Sequence, residues 1–118
     1  MTKLVFFRSD GIFYGFEEQG HTGYGQEGDD IICAALSAMT MLIINTVEVA
    51  YASHIDYNID ESTTKITVKS KSALPEFEED DYKRYAVSGV IEGFYLQLMD
   101  MLEDYYDYLD VDLVDKEF

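Results

Sequence analysis

The chain has 118 residues, of which 47% are hydrophobic, and a formal net charge of -16 at pH 7. This length and composition are typical of a single folded domain, residues 1–118, and exclude a disordered or low-complexity chain. The negative charge disfavours nucleic acid as a direct partner, because phosphates are repelled, and it is compatible with a basic protein partner or simply with solubility.

The acidic residues are unevenly distributed along the chain. The part up to Leu74 has 10 acidic and 5 basic residues, whereas the part from Glu76 onward has 14 acidic and 3 basic residues.

The sequence predicts neither export nor a membrane span. The N-terminal apolar run is too short for a signal peptide, and residues 31–47 include the polar residues Thr, Ser and Asn. One cysteine cannot form an internal disulfide, so a cytoplasmic protein is expected.

The first half of the chain predicts a hairpin, a loop and a helix. Residues 3–8 and 12–19 are rich in Phe, Val, Ile and Tyr, and the intervening Ser-Asp-Gly favours a tight turn. Four glycines in residues 20–28 predict a mobile loop. Apolar residues then recur at helical spacing from 31 to about 52, with Asp29 or Asp30 as the expected cap.

The second half predicts another hairpin, a second helix and a last strand. Residues 55–59 and 65–69 alternate in polarity on either side of a turn at 60–63. Residues 76–106 form an acidic helix start followed by one apolar face, and residues 109–113 again alternate. The expected fold class is α+β, a mixed sheet of about five strands with two helices in the order ββαββαβ.

A cysteine and a histidine flank the glycine-rich loop. Cys33 falls in the first turn of the predicted helix, where unpaired N–H groups and the helix dipole stabilise a thiolate. His21 precedes it by twelve residues, and the loop could fold the imidazole over the thiol. One polar stripe of the helix would hold Asp30, Cys33, Ser37 and Thr40. These features fit nucleophilic catalysis, or an ordinary buried cysteine together with a surface or core histidine.

Other roles for these residues remain open from sequence. Asp29 and Asp30 oppose thiolate formation next to Cys33, unless one of them caps the helix or orients protonated His21. A metal site from His21, Cys33 and the two aspartates falls short of the usual zinc set, so we expect no metal and no cofactor. His54 lies near the end of the predicted helix, where a cation suits the dipole, and is expected to be structural.

These residues resemble the signature of the bacterial ribosomal-processing cysteine protease (Prp) family. The matching features are the Gly20-His21 pair, the glycine loop with Gly23-Tyr24-Gly25, and the run Gly-x-Asp-Ile-x-Cys-Ala-Ala-x-Ser over residues 28–37. One departure is Thr22, where the family more often has Ala. The motif covers residues 15–37, while length and element order extend the resemblance to nearly the whole chain.

The resemblance implies a homodimeric endopeptidase that removes an N-terminal extension from large-subunit ribosomal protein twenty-seven, cutting after two aromatic residues. It implies Cys33 as nucleophile and His21 as general base, with Asp30 and Ser37 in supporting positions. The mobile substrate loop would contain Thr22, Gly23, Tyr24, Gly25 and Gly28. First-turn N–H groups near Cys33 are the expected oxyanion donors.

Two rival functions belong to other classes. A non-catalytic acidic module that binds a basic ribosomal protein would have the same charge but would need no reactive thiol. A redox-sensing thiol is disfavoured because a monomer has no second cysteine to resolve it. Alkylation of Cys33 with and without His21→Ala distinguishes the protease from the binding module.

Overall fold

The computed structural model describes residues 1–20 and 27–118, with side chains described for 1–20 and 31–118. Its strands and helices follow the order ββαββαβ, as the sequence predicts, with a π-helical segment at Asn45–Ala50 and a short 3₁₀ turn at Lys71–Ala73. The elements are β1 (Thr2–Ser9), β2 (Ile12–Gln19), α1 (Glu27–Ile44), β3 (Asp56–Asp60), β4 (Lys65–Lys69), α2 (Asp81–Tyr105) and β5 (Leu109–Asp115).

The five strands form one mixed sheet in the order β3-β4-β2-β1-β5. Strand β1 pairs antiparallel with β2 and parallel with β5, while β4 pairs antiparallel with both β2 and β3. The first hairpin turns at Asp10 and Gly11, whose φ angles of 50° and 80° are those of a tight turn with two left-handed residues. The α+β fold class is therefore confirmed.

The core lies between the sheet and the two helices. Aromatic rings join the layers: the Phe6 centroid is 5.6 Å from that of Phe16 and 5.5 Å from that of Phe94 on α2. Apolar residues of both helices are buried against them, namely Ile32, Leu36 and Ile43 of α1, Val47 of the π-helical segment, and Val87, Ile91, Phe94 and Leu98 of α2. This packing fixes α1 against β2 and α2.

Helix α1 begins and ends at different residues from those predicted. It starts at Glu27, so Asp29 and Asp30 lie within its first turn and neither precedes it as a cap. Acidic residues suit the first turn as well as the cap, because both lie at the positive end of the dipole. Its α-helical part ends at Ile44 and continues as the π-helical segment, where the Thr46 hydroxyl donates to the Leu42 carbonyl at 2.7 Å.

The start of α2 also corrects a prediction. The helix begins at Asp81, so the acidic residues 76–80 precede it. The Asp80 side chain accepts a hydrogen bond from the Tyr82 N–H at 2.9 Å, which satisfies one of the unpaired donors at the helix start. The acidic run therefore ends in an N-cap instead of forming the first turn.

The stretch Ile31–Ala50 is long and apolar enough to cross a membrane by length and composition, with a mean hydropathy of 1.8. A helix packed in a protein core passes the same test, and 33% of this window is buried against the sheet and α2. Its remaining apolar side chains, including Met41 and Leu42, are exposed. Exposed apolar residues on this helix indicate a surface that another molecule could cover.

Candidate active site

Cys33 lies in α1, on the seventh residue of the helix. The prediction that it occupies the first turn is wrong, because the helix begins at Glu27, four residues earlier than the sequence suggests. In an α-helix only the first four N–H groups have no intrahelical partner. The N–H groups near Cys33 are thus engaged in the helix, which removes the predicted oxyanion donors from its immediate backbone.

The Cys33 side chain is largely, though not completely, covered. Its exposed fraction is 9%, compared with 0% for Ile32 and Leu36, which point into the core. The residues of the predicted polar stripe differ in exposure, because Thr40 is buried while Ser37 is exposed. Cys33 therefore lies between the apolar core face and the solvent-facing part of the helix.

His21 and most of the predicted substrate loop lie outside the residues that the structure describes. This applies to Thr22, Gly23, Tyr24 and Gly25 as well. Strand β2 ends at Gln19, two residues before His21. The pairing of His21 with Cys33 stays a prediction from the sequence motif.

Gly20 connects β2 to His21 and has a backbone that only glycine adopts easily. Its φ is +82°, and a Cβ at this position would lie 2.5 Å from the carbonyl oxygen of Met1. Both the left-handed conformation and the close approach require the absence of a side chain. The backbone geometry at this position therefore requires the glycine of the motif's Gly-His pair.

Two further predicted site residues, Gly28 and Asp30, lie in the first turn of α1. The loop prediction is wrong for Gly28, because the helix extends back to Glu27 and includes it. The side chain of Asp30 is outside the described part of the chain, so its supporting role stays a prediction, as does the expected absence of a metal site that would need His21 and the two aspartates.

Sequence reasoning did not identify a buried carboxyl group near the end of β2. Glu18, the penultimate residue of β2, has an exposed fraction of 1%, and its Oε1 accepts a hydrogen bond from the Thr40 hydroxyl at 2.6 Å. Burial raises the pKa of Glu18 to about 7, while the Thr40 hydrogen bond opposes that shift. The signal was available, since strand alternation places Glu18 on the same side of β2 as the core residue Phe16.

His54 lies after the π-helical segment, and its Nε2 is 2.8 Å from Asp56 Oδ1. Its backbone carbonyl accepts a hydrogen bond from the buried Ser70 hydroxyl. These contacts fasten the connection between the helix and β3 and β4. They are consistent with the structural role expected for His54.

An apolar groove of about 590 Å³ runs between α1 and α2. On α1 it is lined by Ala35, Ala38, Met39, Leu42 and Ile43, and on α2 by Val90, Gly93, Phe94, Gln97 and Met101. At about 3.6 residues per turn, the central lining position Leu42 lies roughly opposite Cys33 around the helix. The groove is therefore separate from the surface at which the thiol could meet a substrate.

Comparisons with known proteins agree with the sequence motif. A family model described as cysteine protease Prp matches residues 1–110. The crystal structure of SMU.848 from Streptococcus mutans has 25% sequence identity and a TM-score of 0.79, with 98% of this chain and 96% of that chain covered. A search of curated proteins gives no match.

Two solved structures are of a ribosomal processing protease Prp from Staphylococcus aureus. The complex with a substrate peptide has 20% identity and a TM-score of 0.73, covering 98% of this chain and 100% of that chain. The complex with a covalently linked product peptide has 19% identity and a TM-score of 0.74, covering 97% and 100%. At this level of identity, both support the fold.

Proposed function

The chain belongs to the cysteine protease Prp family, and we propose that it is the endopeptidase that removes the N-terminal extension of large-subunit ribosomal protein twenty-seven. A member of this family is a cysteine protease, and the chain has only one cysteine. The observation that carries the proposal is Cys33 itself, which lies near the start of α1 within the family motif and keeps an exposed fraction of 9%.

In the proposed reaction, His21 accepts the proton of Cys33 and the thiolate attacks the peptide carbonyl. The C–N bond breaks, the new amine takes the proton from His21, and the N-terminal extension remains on Cys33 as a thioester. Water then hydrolyses the thioester and regenerates the thiol. Asp30 and Ser37 are proposed in supporting positions because they match the motif.

The charge of the chain supports a basic ribosomal protein as substrate. The part from Glu76 onward has 14 acidic and 3 basic residues, so a Lys- and Arg-rich partner is steered toward it, whereas nucleic acid is repelled. The Staphylococcus aureus protein, similar in fold, is described as a ribosomal processing protease bound to a substrate peptide. A cytoplasmic location, where such a substrate is made, is part of the proposal.

A homodimer is the assembly that we propose for this protease. The support is the apolar groove between α1 and α2, together with the exposed Leu42 that lines it and the exposed Met41 next to Leu42 in sequence. A second copy would cover apolar surface that a monomer leaves in water. Because Leu42 lies roughly opposite Cys33 around α1, pairing through the groove would leave the thiol accessible.

The experiment that tests the function uses the ribosomal protein with its extension and a version whose two aromatic residues before the cut are replaced by Ala. We expect the wild-type chain to remove the extension from the first substrate only. Cys33→Ala should abolish cleavage and His21→Ala should reduce it severely. Binding of the substrate without cleavage by the wild-type chain would favour the non-catalytic acidic module instead.

A further inference from the structure

Glu18 is a buried acid in a part of the sheet that otherwise packs apolar side chains. It pairs with Leu4 of β1 and Ile66 of β4, and it follows the core residue Phe16 on the same face of β2. Its neighbour Glu17 lies on the opposite face, where its carboxylate is 3.6 Å from Lys65 Nζ. An ionised carboxylate is costly to bury, so the presence of an acid at this buried position needs a physical explanation.

The contact that Glu18 makes crosses from the sheet to α1. The Thr40 hydroxyl, which has an exposed fraction of 5%, donates to Glu18 Oε1 at 2.6 Å. Thr40 lies seven residues after Cys33, close to two turns at about 3.6 residues per turn, so both side chains are on the same face of α1. The hydrogen bond therefore joins β2 to the helical face that carries the nucleophile.

Glu18, on the β2 side of this hydrogen bond, is close in sequence to the proposed general base His21. Glu18 is followed by Gln19, where β2 ends, and by Gly20, whose backbone is fixed under the Met1 carbonyl. The next residue is His21. A single buried hydrogen bond thus links the helix that carries Cys33 to the strand that leads into the proposed base.

The charged groups on neighbouring elements face away from Glu18. Lys3 of β1 pairs with Asp112 at an exposed position, and Lys65 of β4 pairs with Glu17 at a half-buried position on the opposite face of β2. The face of α2 toward the sheet is apolar, with Val87, Ile91, Phe94 and Leu98 buried. Among the α1 side chains that the structure describes, residues 31–44, Cys33 is the titratable group on the face of Thr40. Desolvation thus dominates, and it raises the pKa of Glu18 to about 7.

We propose that Glu18 is a positioning residue for the protease reaction: its buried side chain holds α1 against β2 through Thr40, and the water that its ionised form draws in separates α1 from β2 and misplaces Cys33. This inference rests on the proposed function. An ionised Glu18 draws water between β2 and α1, because the charge has no cationic partner among the described side chains facing it. The Cys33 end of α1 then loses its fixed distance from β2.

The test compares the wild-type chain with Glu18→Gln, which keeps the hydrogen-bonding shape and cannot ionise. Peptide cleavage is measured as kcat and KM between about pH 5.5 and 9, a range that spans the titration of a raised carboxyl. We expect the ratio of wild-type kcat to Glu18→Gln kcat to fall by about tenfold per pH unit above neutrality, with little change in the KM ratio. Glu17→Gln is the matched control and should follow the wild-type profile.

Thr40 variants keep the proposal falsifiable even if Glu18→Gln fails to fold. Thr40→Ser retains the hydroxyl and should keep the wild-type profile. Thr40→Val removes the hydrogen bond that lowers the Glu18 pKa. Its kcat should therefore be lower, and the decrease of kcat with rising pH should begin at a higher pH than in the wild-type chain. Either of two results would overturn the positioning role. One is a kcat ratio between wild type and Glu18→Gln that is constant with pH, and the other is a decrease of kcat in Thr40→Val at the same pH as in the wild-type chain.

Alkylation of Cys33 by iodoacetamide separates this inference from the proposed function. The ratio of the wild-type to Glu18→Gln alkylation rates should change with pH in the same range as the kcat ratio. If cleavage proves independent of Cys33, the proposed function fails, and the alkylation ratio alone decides whether Glu18 positions the thiol. If cleavage depends on Cys33 while both ratios are constant with pH, the function stands and the inference fails.

Discussion

The carbonyl oxygen of Met1 lies 2.5 Å from the point at which a Cβ would stand on Gly20. The N-terminus of the chain thus packs directly over the residue that precedes the proposed general base. Together with a φ of +82°, this contact makes Gly20 a position where any side chain forces the backbone to move.

Gly20→Ala should therefore destabilise the fold and lower cleavage. The left-handed conformation alone costs about 1–2 kcal/mol for a residue with a Cβ, and the overlap with Met1 adds to it, so we expect a loss of roughly 2–3 kcal/mol. Denaturant unfolding measures the stability, and the peptide assay measures kcat.

Gly11→Ala provides the matched control for that change. Gly11 has a similar φ of +80°, yet a Cβ there would meet nothing within 4 Å. We expect it to cost about 1 kcal/mol through conformation alone and to leave kcat unchanged. Equal effects of the two substitutions on stability and cleavage would show that the Met1 contact has no role.

The stability of the chain should depend on pH through Glu18. Its pKa is about 7 in the folded state and near 4.5 when unfolded, so the folded state holds the proton more tightly. The stability associated with protonated Glu18 is present below about pH 4.5 and is lost as the pH rises through 7. The difference of 2.5 pKa units, 7 minus 4.5, corresponds to roughly 3 kcal/mol.

Glu18→Gln removes this dependence, and so its advantage over the wild-type chain should grow with pH. We expect the difference in unfolding free energy, Glu18→Gln minus wild type, to increase by about 3 kcal/mol from pH 4.5 to 8. Urea titrations at a series of pH values measure it. A difference that is the same at both ends of the range would show that Glu18 is ionised in the folded chain.

The groove between α1 and α2 is predicted to hold the second protomer. Leu42 lines it and has an exposed fraction of 59%, so Leu42→Glu should place a charge in the interface and give a monomer in sedimentation experiments. Leu96 on α2 has a similar exposed fraction of 55% but does not line the groove, and Leu96→Glu should remain a dimer. A dimer that survives Leu42→Glu would place the interface elsewhere.

The C-terminal end of the chain, beyond the residues that the family model matches, is fastened by Tyr14. Its hydroxyl donates to the Lys116 carbonyl at 2.8 Å, and its ring lies 5.3 Å from that of Phe118. Tyr14→Phe should cost about 1 kcal/mol and speed amide exchange at residues 116–118. Tyr82→Phe, at an exposed position, should change neither.

Local chemistry was sufficient to predict much of this fold. Asp10 and Gly11 specify the first turn, and the alternation in residues 109–113 specifies a strand that the structure places at Leu109–Asp115. The start of α1 was misplaced because Asp29 and Asp30 are equally favourable as a cap and in the first turn. In α2 the error is in the opposite direction. The acidic residues from 76 onward were expected to form the start of the helix, but Asp80 is its N-cap and the helix begins at Asp81.

The features that sequence could not supply depend on packing between distant elements. Strand alternation separates Glu18 from Glu17, but only the position of α1 over β2 shows that the Glu18 carboxyl is buried against Thr40, while Glu17 is half-buried beside Lys65. The apolar groove likewise depends on how two helices pack on one sheet. Cys33 was found from its motif, whereas its near-complete burial required the structure.

Whether Cys33 is the nucleophile is tested best by the mass of the intact protein after rapid acid quenching during cleavage. We predict a wild-type species heavier by the acyl mass of the N-terminal extension, located on Cys33 and absent from Cys33→Ala. Cleavage of the extended ribosomal protein by Cys33→Ala at the wild-type rate would show that Cys33 is not the nucleophile.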